Sequence, residues 1–271
     1  MQLDWITAFV LGIVEGLTEF LPVSSTGHLI LAGALLDYHG AQAVAVEIVI
    51  QGAAILAVCW EYRQMLTRTA LTFAHEPASR RFMLNLLLGF LPLALLGLAF
   101  KDEIEHDLFR PVPVAIALVV GGVLILLVDR REERATLRFA DDVRPALALR
   151  LGLWQALALI PGTSRAAATI IGGVSMGMSR RLATEYSFFL AIPTLLAATA
   201  YKLVESFDLL TGDALGPLLL SAAFSFITAL LAVRGFIRYV SSHSFAAFAW
   251  YRIVFGTLVL GAVALGFDLG A

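Results

Sequence analysis

EGLTEFLPVSSTGH, residues 15–28, interrupts an apolar run that extends over about 5–35, placing two carboxylates, four hydroxyls, a proline and an imidazole in a stretch otherwise made of Val, Leu, Phe and Gly. A second apolar run, about 151–178, is broken in the same way by PGTSR, residues 161–165. Irregular polar backbone at membrane depth is tolerated only where it is buried in protein or lines a wet cavity. Around these two broken segments lie six unbroken apolar runs, at about 42–60, 82–100, 114–128, 183–203, 217–233 and 245–267, each long enough to cross a bilayer. The expected fold is therefore an all-α integral membrane protein with six transmembrane helices and two re-entrant helical hairpins.

Composition agrees. Of 271 residues, 59% are hydrophobic and 15% charged, with mean hydropathy +0.86, which leaves too little polar surface for a water-soluble globule. The formal charge of −2 and the lack of any block of like charge argue against a nucleic-acid partner, leaving membrane lipids as the surroundings. The single cysteine, Cys59, can form no internal disulfide and is expected to pack in its span. MQLDWITAFVLGIVEG carries no basic n-region or small-residue cleavage site, so the N-terminus is expected to be retained.

Basic residues orient the chain. Twelve Lys or Arg fall in connections 61–81, 129–150 and 234–244, against two in 101–113 and 204–216, which predicts that the first set is cytoplasmic. With each broken segment entering and leaving on one face, both termini lie outside. One membrane domain, 1–271, then divides into a first repeat, 1–128, and a second, 150–271. Three crossings per half invert the second repeat relative to the first. Pro22 followed by Ser24, Ser25 and Thr26 parallels Pro161 followed by Thr163, Ser164 and Arg165, and Glu47 and Glu185 follow at nearly equal distances. Two broken hairpins meeting near the midplane would present free helix N-termini to an anion.

Glu15 and Glu19 are four apart and share a helix face, where a carboxylate pair can hold Mg²⁺ or Ca²⁺ or exchange protons. Ser24, Ser25, Thr26 and Gly27 precede His28, whose imidazole is suited to acid, base or nucleophilic work on phosphate; capping and packing are the competing reading of this run. Arg165, after Gly162, Thr163 and Ser164 and before Thr169, calls for an anion: phosphate oxygens or the carboxylates of Glu15 or Glu19. Glu47, Gln51, Glu185, Tyr186 and Ser187 open two spans and are weaker candidates, equally suited to helix–helix hydrogen bonds. His39, His75, His106 and His243 fall in or near connections and receive no chemistry.

Together these segments resemble the bacitracin-resistance family of undecaprenyl-diphosphate phosphatases. EGLTEFLPVSSTGH is similar to its E-x-x-x-E signature and PGTSRAAAT to its P-G-x-S-R-x-x-x-T signature, with span count and spacing alike over essentially the whole chain. The resemblance implies a bacterial inner-membrane enzyme that converts undecaprenyl diphosphate to undecaprenyl phosphate and inorganic phosphate, recycling a carrier for cell-wall glycans and conferring bacitracin resistance. It implicates Glu15 and Glu19 with a divalent cation, Arg165 with the diphosphate, and Ser25 and His28. Ala166 and Ala167 depart from the Ser-Gly found in many members, which puts any role for position 166 in doubt. The haloperoxidase-related lipid phosphatases are excluded, because no histidine lies between Arg165 and His243.

The polyprenyl tail is expected to lie in lipid, with the diphosphate entering from the external side between Ser24, Thr26, Gly162, Thr163, Ser164, Arg165 and Thr169. The nucleophile stays open among Ser25, His28 and activated water, with Ser25 favoured and His28 as its acid/base. The alternative is a transporter or flippase of a phosphorylated polyprenyl lipid, since inverted repeats with broken helices are common in transporters. The sequence leaves a homodimer open.

Overall fold

The fold is given by a computed structural model, which describes residues 3–38, 40–100, 108, 110–130, 135–205 and 215–267. His39 and His106 lie outside these residues. The described residues form eleven α-helices: α1 (Trp5–Thr18), α2 (Ser25–Leu35), α3 (Ala41–Glu61), α4 (Arg63–Thr72), α5 (Pro77–Ala99), α6 (Pro111–Asp129), α7 (Pro145–Ala156), α8 (Arg165–Ser175), α9 (Arg180–Glu205), α10 (Leu215–Val240) and α11 (Ala246–Ala264). Six of them, α3, α5, α6, α9, α10 and α11, are long and apolar enough to cross a membrane. Leu95, Leu127, Val254 and Leu258 are among the apolar side chains these helices leave exposed, as a lipid solvent permits. The chain is a multi-pass membrane protein.

Local chemistry sets the starts. Asp4 caps α1 by accepting from the N–H groups of Ile6 (2.8 Å) and Thr7 (3.0 Å), and α5, α6 and α7 each begin with proline, whose missing N–H is not needed there. The short helices α2 and α8 begin differently. Their caps, Ser24 and Ser164, take positive φ angles of 72° and 69°. Each accepts through Oγ the N–H three residues on, from Gly27 at 3.5 Å and Ala167 at 3.2 Å. At the far end of α8, Gly177 (φ 94°) lets the Met178 N–H reach the Gly173 carbonyl at 3.0 Å, which stops the helix.

In lipid, helix association rests on close packing rather than on burial from water, so small residues mark the contacts. α1 packs on α10 so tightly that a Cβ at Gly12 would sit 2.3 Å from the Ser221 carbonyl oxygen, and one at Gly16 equally close to that of Ser225. α7 packs on α5 in the same manner, with Gly152 against the Gly89 carbonyl. Thus the first helix of each short pair leans on a span from the other half of the chain. α6 pairs with α11 and α3 with α9, closing the bundle around a core that includes Phe20, Tyr186, Phe188 and Phe236.

Three expectations shift. α10 continues to Val240 instead of ending near 233, because Val233, Phe236 and Val240 bury one face of its last turns; Arg234 therefore lies on the helix, bonded to Glu61 at 2.7 Å. The 61–81 connection contains a helix of its own, α4. The second broken segment begins at Pro145, six residues early. Capping also sets the register between the two short pairs: Ser24 corresponds to Ser164, one residue away from the alignment that places Pro22 on Pro161.

Candidate active site

Ser25 and Arg165 are the first residues of α2 and α8, so the two positive-φ serines before them aim both side chains toward the same space. A non-glycine residue at positive φ costs on the order of 1–3 kcal/mol and persists only when its surroundings fix it, here by the caps. Between them stands Glu19, at the end of α1. Its Oε2 accepts the Ser25 hydroxyl at 2.6 Å and its Oε1 the Arg165 Nη2 at 3.3 Å. The Arg165 Nη1 donates to the Ser187 carbonyl at 3.0 Å, and its guanidinium lies 5.9 Å from the Phe20 ring centroid. Thr169, one turn behind, has its hydroxyl 2.9 Å from the Arg165 carbonyl and 2.6 Å from Ser187 Oγ.

These groups face a cavity of about 220 Å³, lined by Glu19, Ser24, Ser25, Thr26, Pro161, Gly162, Ser164 and Arg165, with Gln51, Leu93, Ala158, Leu159, Thr194 and Leu195 completing its walls. That volume is below the range of roughly 300–1,000 Å³ typical of whole-ligand pockets and suits a small polar head. The first N–H groups of α2 and α8 have no acceptor within their helices and add positive character at this point.

Glu15 lies one turn behind Glu19, buried, and neither carboxylate oxygen has a hydrogen-bond partner. Glu19, Glu47 and Arg165 are the charges close enough to act on it. Orphaned buried acceptors of this kind fit a hard divalent cation, and two carboxylates completed by phosphate oxygens are a usual donor set for Mg²⁺. Among the described residues no three His, Cys, Asp or Glu side chains converge, so the protein alone supplies no full cage.

Not every sequence candidate arrives. His28 lies apart from the Ser25 hydroxyl: its Nδ1 is 2.7 Å from the Ser24 carbonyl, its Nε2 bonds the Tyr251 hydroxyl, and its ring stacks on Phe255 at 4.6 Å. Glu19, not His28, is the group bonded to the Ser25 hydroxyl, since the turn folds the end of α1 back over the start of α2. Glu185 is paired with Arg181 at 3.0 Å and does not line the cavity. Glu47 is half-buried on α3, and Thr163 spends its N–H on Ile160 without lining the cavity. Ala166 and Ala167 pack into the core, so position 166 faces away from the cavity. His75 is exposed, and His243 bonds to Ser242.

One residue escaped the sequence reading. Arg252, inside α11, is fully buried and donates to the carbonyls of Leu118 (3.2 Å), Pro22 (3.2 Å), Ala117 (3.1 Å) and Gly162 (3.0 Å). A lone arginine within a 23-residue apolar run, 245–267, was the available signal.

A hydroxyl and a guanidinium bonded to one buried carboxylate, at a cavity inside a helical bundle, mark a membrane protein with a polar centre suited to an anionic group. The family model described as "Bacitracin resistance protein BacA" matches residues 8–258, and the chain belongs to that family. Similar proteins named "Undecaprenyl-diphosphatase" occur in Nitrosomonas eutropha, 56% identical over 261 residues and 95% of each chain, and in Methylococcus capsulatus, 51% identical over 263 residues, covering 97% of this chain and 96% of the other. A third, from Aromatoleum aromaticum, is 54% identical over 256 residues, 94% and 93% of the two chains.

Proposed function

We infer that this chain is an undecaprenyl-diphosphatase, hydrolysing undecaprenyl diphosphate to undecaprenyl phosphate and inorganic phosphate within the bilayer. The observation that carries the reading is the Ser25–Glu19–Arg165 cluster at one cavity, in a chain more than half identical to relatives of that name. In the reaction the Ser25 oxygen attacks the terminal phosphorus while Glu19 takes the hydroxyl proton across the 2.6 Å hydrogen bond. The bridging phosphorus–oxygen bond breaks, and the lipid leaves as its monophosphate with the proton that Glu19 returns to it. Water, giving a proton to the regenerated Glu19 carboxylate, then cleaves the serine phosphoester, and that proton passes to the Ser25 oxygen as phosphate leaves. Arg165 turns from Glu19 toward the phosphates and neutralises charge as it develops; the N–H groups opening α2 and α8 hold the remaining oxygens.

Glu15 and Glu19 would hold a divalent cation, Mg²⁺ or Ca²⁺, which supplies charge neutralisation to the diphosphate. The cavity's Leu93, Thr194 and Leu195 lie in the halves of α5 and α9 leading away from the basic connections. The Asp129–Arg180 (2.6 Å) and Glu61–Arg234 (2.7 Å) pairs tie the other ends of their helices. This supports access from the external face of a bacterial inner membrane, with the product returned as a carrier for cell-wall glycans. The reciprocal packing of α1 on α10 and α7 on α5, and the matching serine caps, support two re-entrant hairpins within inverted repeats 1–128 and 150–271.

The test is phosphate release from undecaprenyl diphosphate by purified protein in detergent, with and without chelator. Release that chelator abolishes, Mg²⁺ or Ca²⁺ restores, and folded Glu19→Gln and Arg165→Ala variants lack by about 10²–10³-fold is expected. Well-folded wild-type protein that releases none under any cation would overturn the reading and bring forward a lipid transporter.

A further inference from the structure

We propose that Arg252 is a positioning residue that clamps the two tips of the active site together, setting Ser25 and Glu19 in register with Arg165. The inference rests on the phosphatase reading for its kinetic consequence but on geometry for its substance. Pro22 O belongs to the turn that leads into Ser25, and Gly162 O to the turn that leads into Arg165; Arg252 Nη1 and Nη2 reach one each, at 3.2 and 3.0 Å. The same guanidinium is fixed to α6 through Leu118 O and Ala117 O, so four donors of one planar group tie four carbonyls from three separate segments. Neither tip can shift without breaking a hydrogen bond to this fully buried guanidinium.

Two further features set Arg252 apart from an ordinary buried cation. Its acceptors among the described residues are all carbonyls, so its charge is cancelled by no carboxylate. It therefore adds positive potential behind the turns that carry Gly162 and Ser164, in a site where Glu15 and Glu19 outnumber Arg165 and an incoming diphosphate would otherwise meet net negative charge. The fold also leaves space for it: a Cβ at Gly121 would lie 2.2 Å from Nη2. A lysine would keep the charge but not the fork, because a single ammonium cannot reach carbonyls distributed around a plane.

The experiment pairs kinetics with hydrogen–deuterium exchange on detergent-purified Arg252→Lys and Gly121→Ala proteins, the second displacing the guanidinium without removing it. Both variants should lose about 10- to 100-fold in kcat for undecaprenyl diphosphate, with KM changed much less, as misplaced catalytic groups do. Both should also exchange faster in peptides covering 19–28 and 159–168 together, with the spans unchanged. Wild-type protection at either tip, or faster exchange at the tips with no rate loss, would overturn the proposal. If wild-type protein releases no phosphate, the phosphatase reading falls, and joint or absent loss of tip protection still decides the clamp on its own.

Discussion

The tips of α1–α2 and α7–α8 share a backbone and divide the chemistry. Each ends in a serine at φ near 70° that caps a short helix, and each aims the next residue into the cavity. Counting back nine residues from the caps gives Glu15 in one and Gln155 in the other; counting back five gives Glu19 and Leu159. Gln155 is satisfied inside the protein, donating to the Gly89 carbonyl at 3.0 Å and accepting from Thr194 at 3.4 Å, whereas Glu15 has no partner. The first tip thus holds the Ser25 hydroxyl, the bonded Glu19 and the unpartnered Glu15, and the second holds the Arg165 guanidinium. Two tips with the same capped backbone can therefore present different side chains to one cavity.

Breaking the first tip should have the largest effect. Ser25→Ala removes the attacking oxygen and is expected to cut kcat by about 10³-fold or more while leaving the Glu19–Arg165 pair and the fold intact, measured by phosphate release and thermal unfolding in detergent. Arg165→Lys at the second tip should cost about 10²-fold, since lysine cannot serve Ser187 O and an anion at once. Equal losses from both substitutions, with equal stabilities, would count against the division of labour.

The shared caps predict a smaller, symmetric effect. Ser24→Ala and Ser164→Ala lose the cap and keep the strained φ, costing about 1–2 kcal/mol of stability each; the glycine variants lose the cap but relieve the strain and should cost only a few tenths. Unfolding midpoints of the four proteins test this, and a marked difference between tips would show that the caps are not equivalent.

The smallest effect separates how the tips are tethered. The second pair alone is tied to the 135–144 connection, where Thr136 and Leu137 donate to the Gly177 carbonyl at 3.0 Å. Asp142 holds that connection by accepting the Arg138 and Phe139 N–H groups at 2.9 Å, which lowers its carboxyl pKa below the ordinary value. A depressed folded pKa contributes stability above the unfolded value and loses it as pH falls through the folded one, so acid should loosen this connection. Exchange of peptides in 135–144, compared between wild type and Asp142→Asn across that range, checks it: the pH effect should vanish in the variant.

The six spans were legible because hydrophobic length answers to bilayer thickness, and the two broken segments stood out because polar backbone is costly at that depth. The extra turns of α10 were not, since Arg234 and Arg238 look like loop residues until Glu61 is found across from one of them. His28 shows the same limit from the other side. Its place in the motif suggested partnership with Ser25, but Tyr251, 223 residues away, holds its ring.

The sequence by itself determined what the chain could not avoid: helices in lipid, two interrupted segments, and carboxylates and an arginine too expensive to stand there without a partner or a task. Only the tertiary structure decided which groups meet. That Glu19, rather than His28, accepts the Ser25 hydroxyl hydrogen bond, and that Arg252 bonds the turns of both tips, follows from contacts across 6, 230 and 90 residues of chain. Hydropathy is a property of each segment alone, whereas a hydrogen bond is made by whatever partner the packing brings within 3 Å or so.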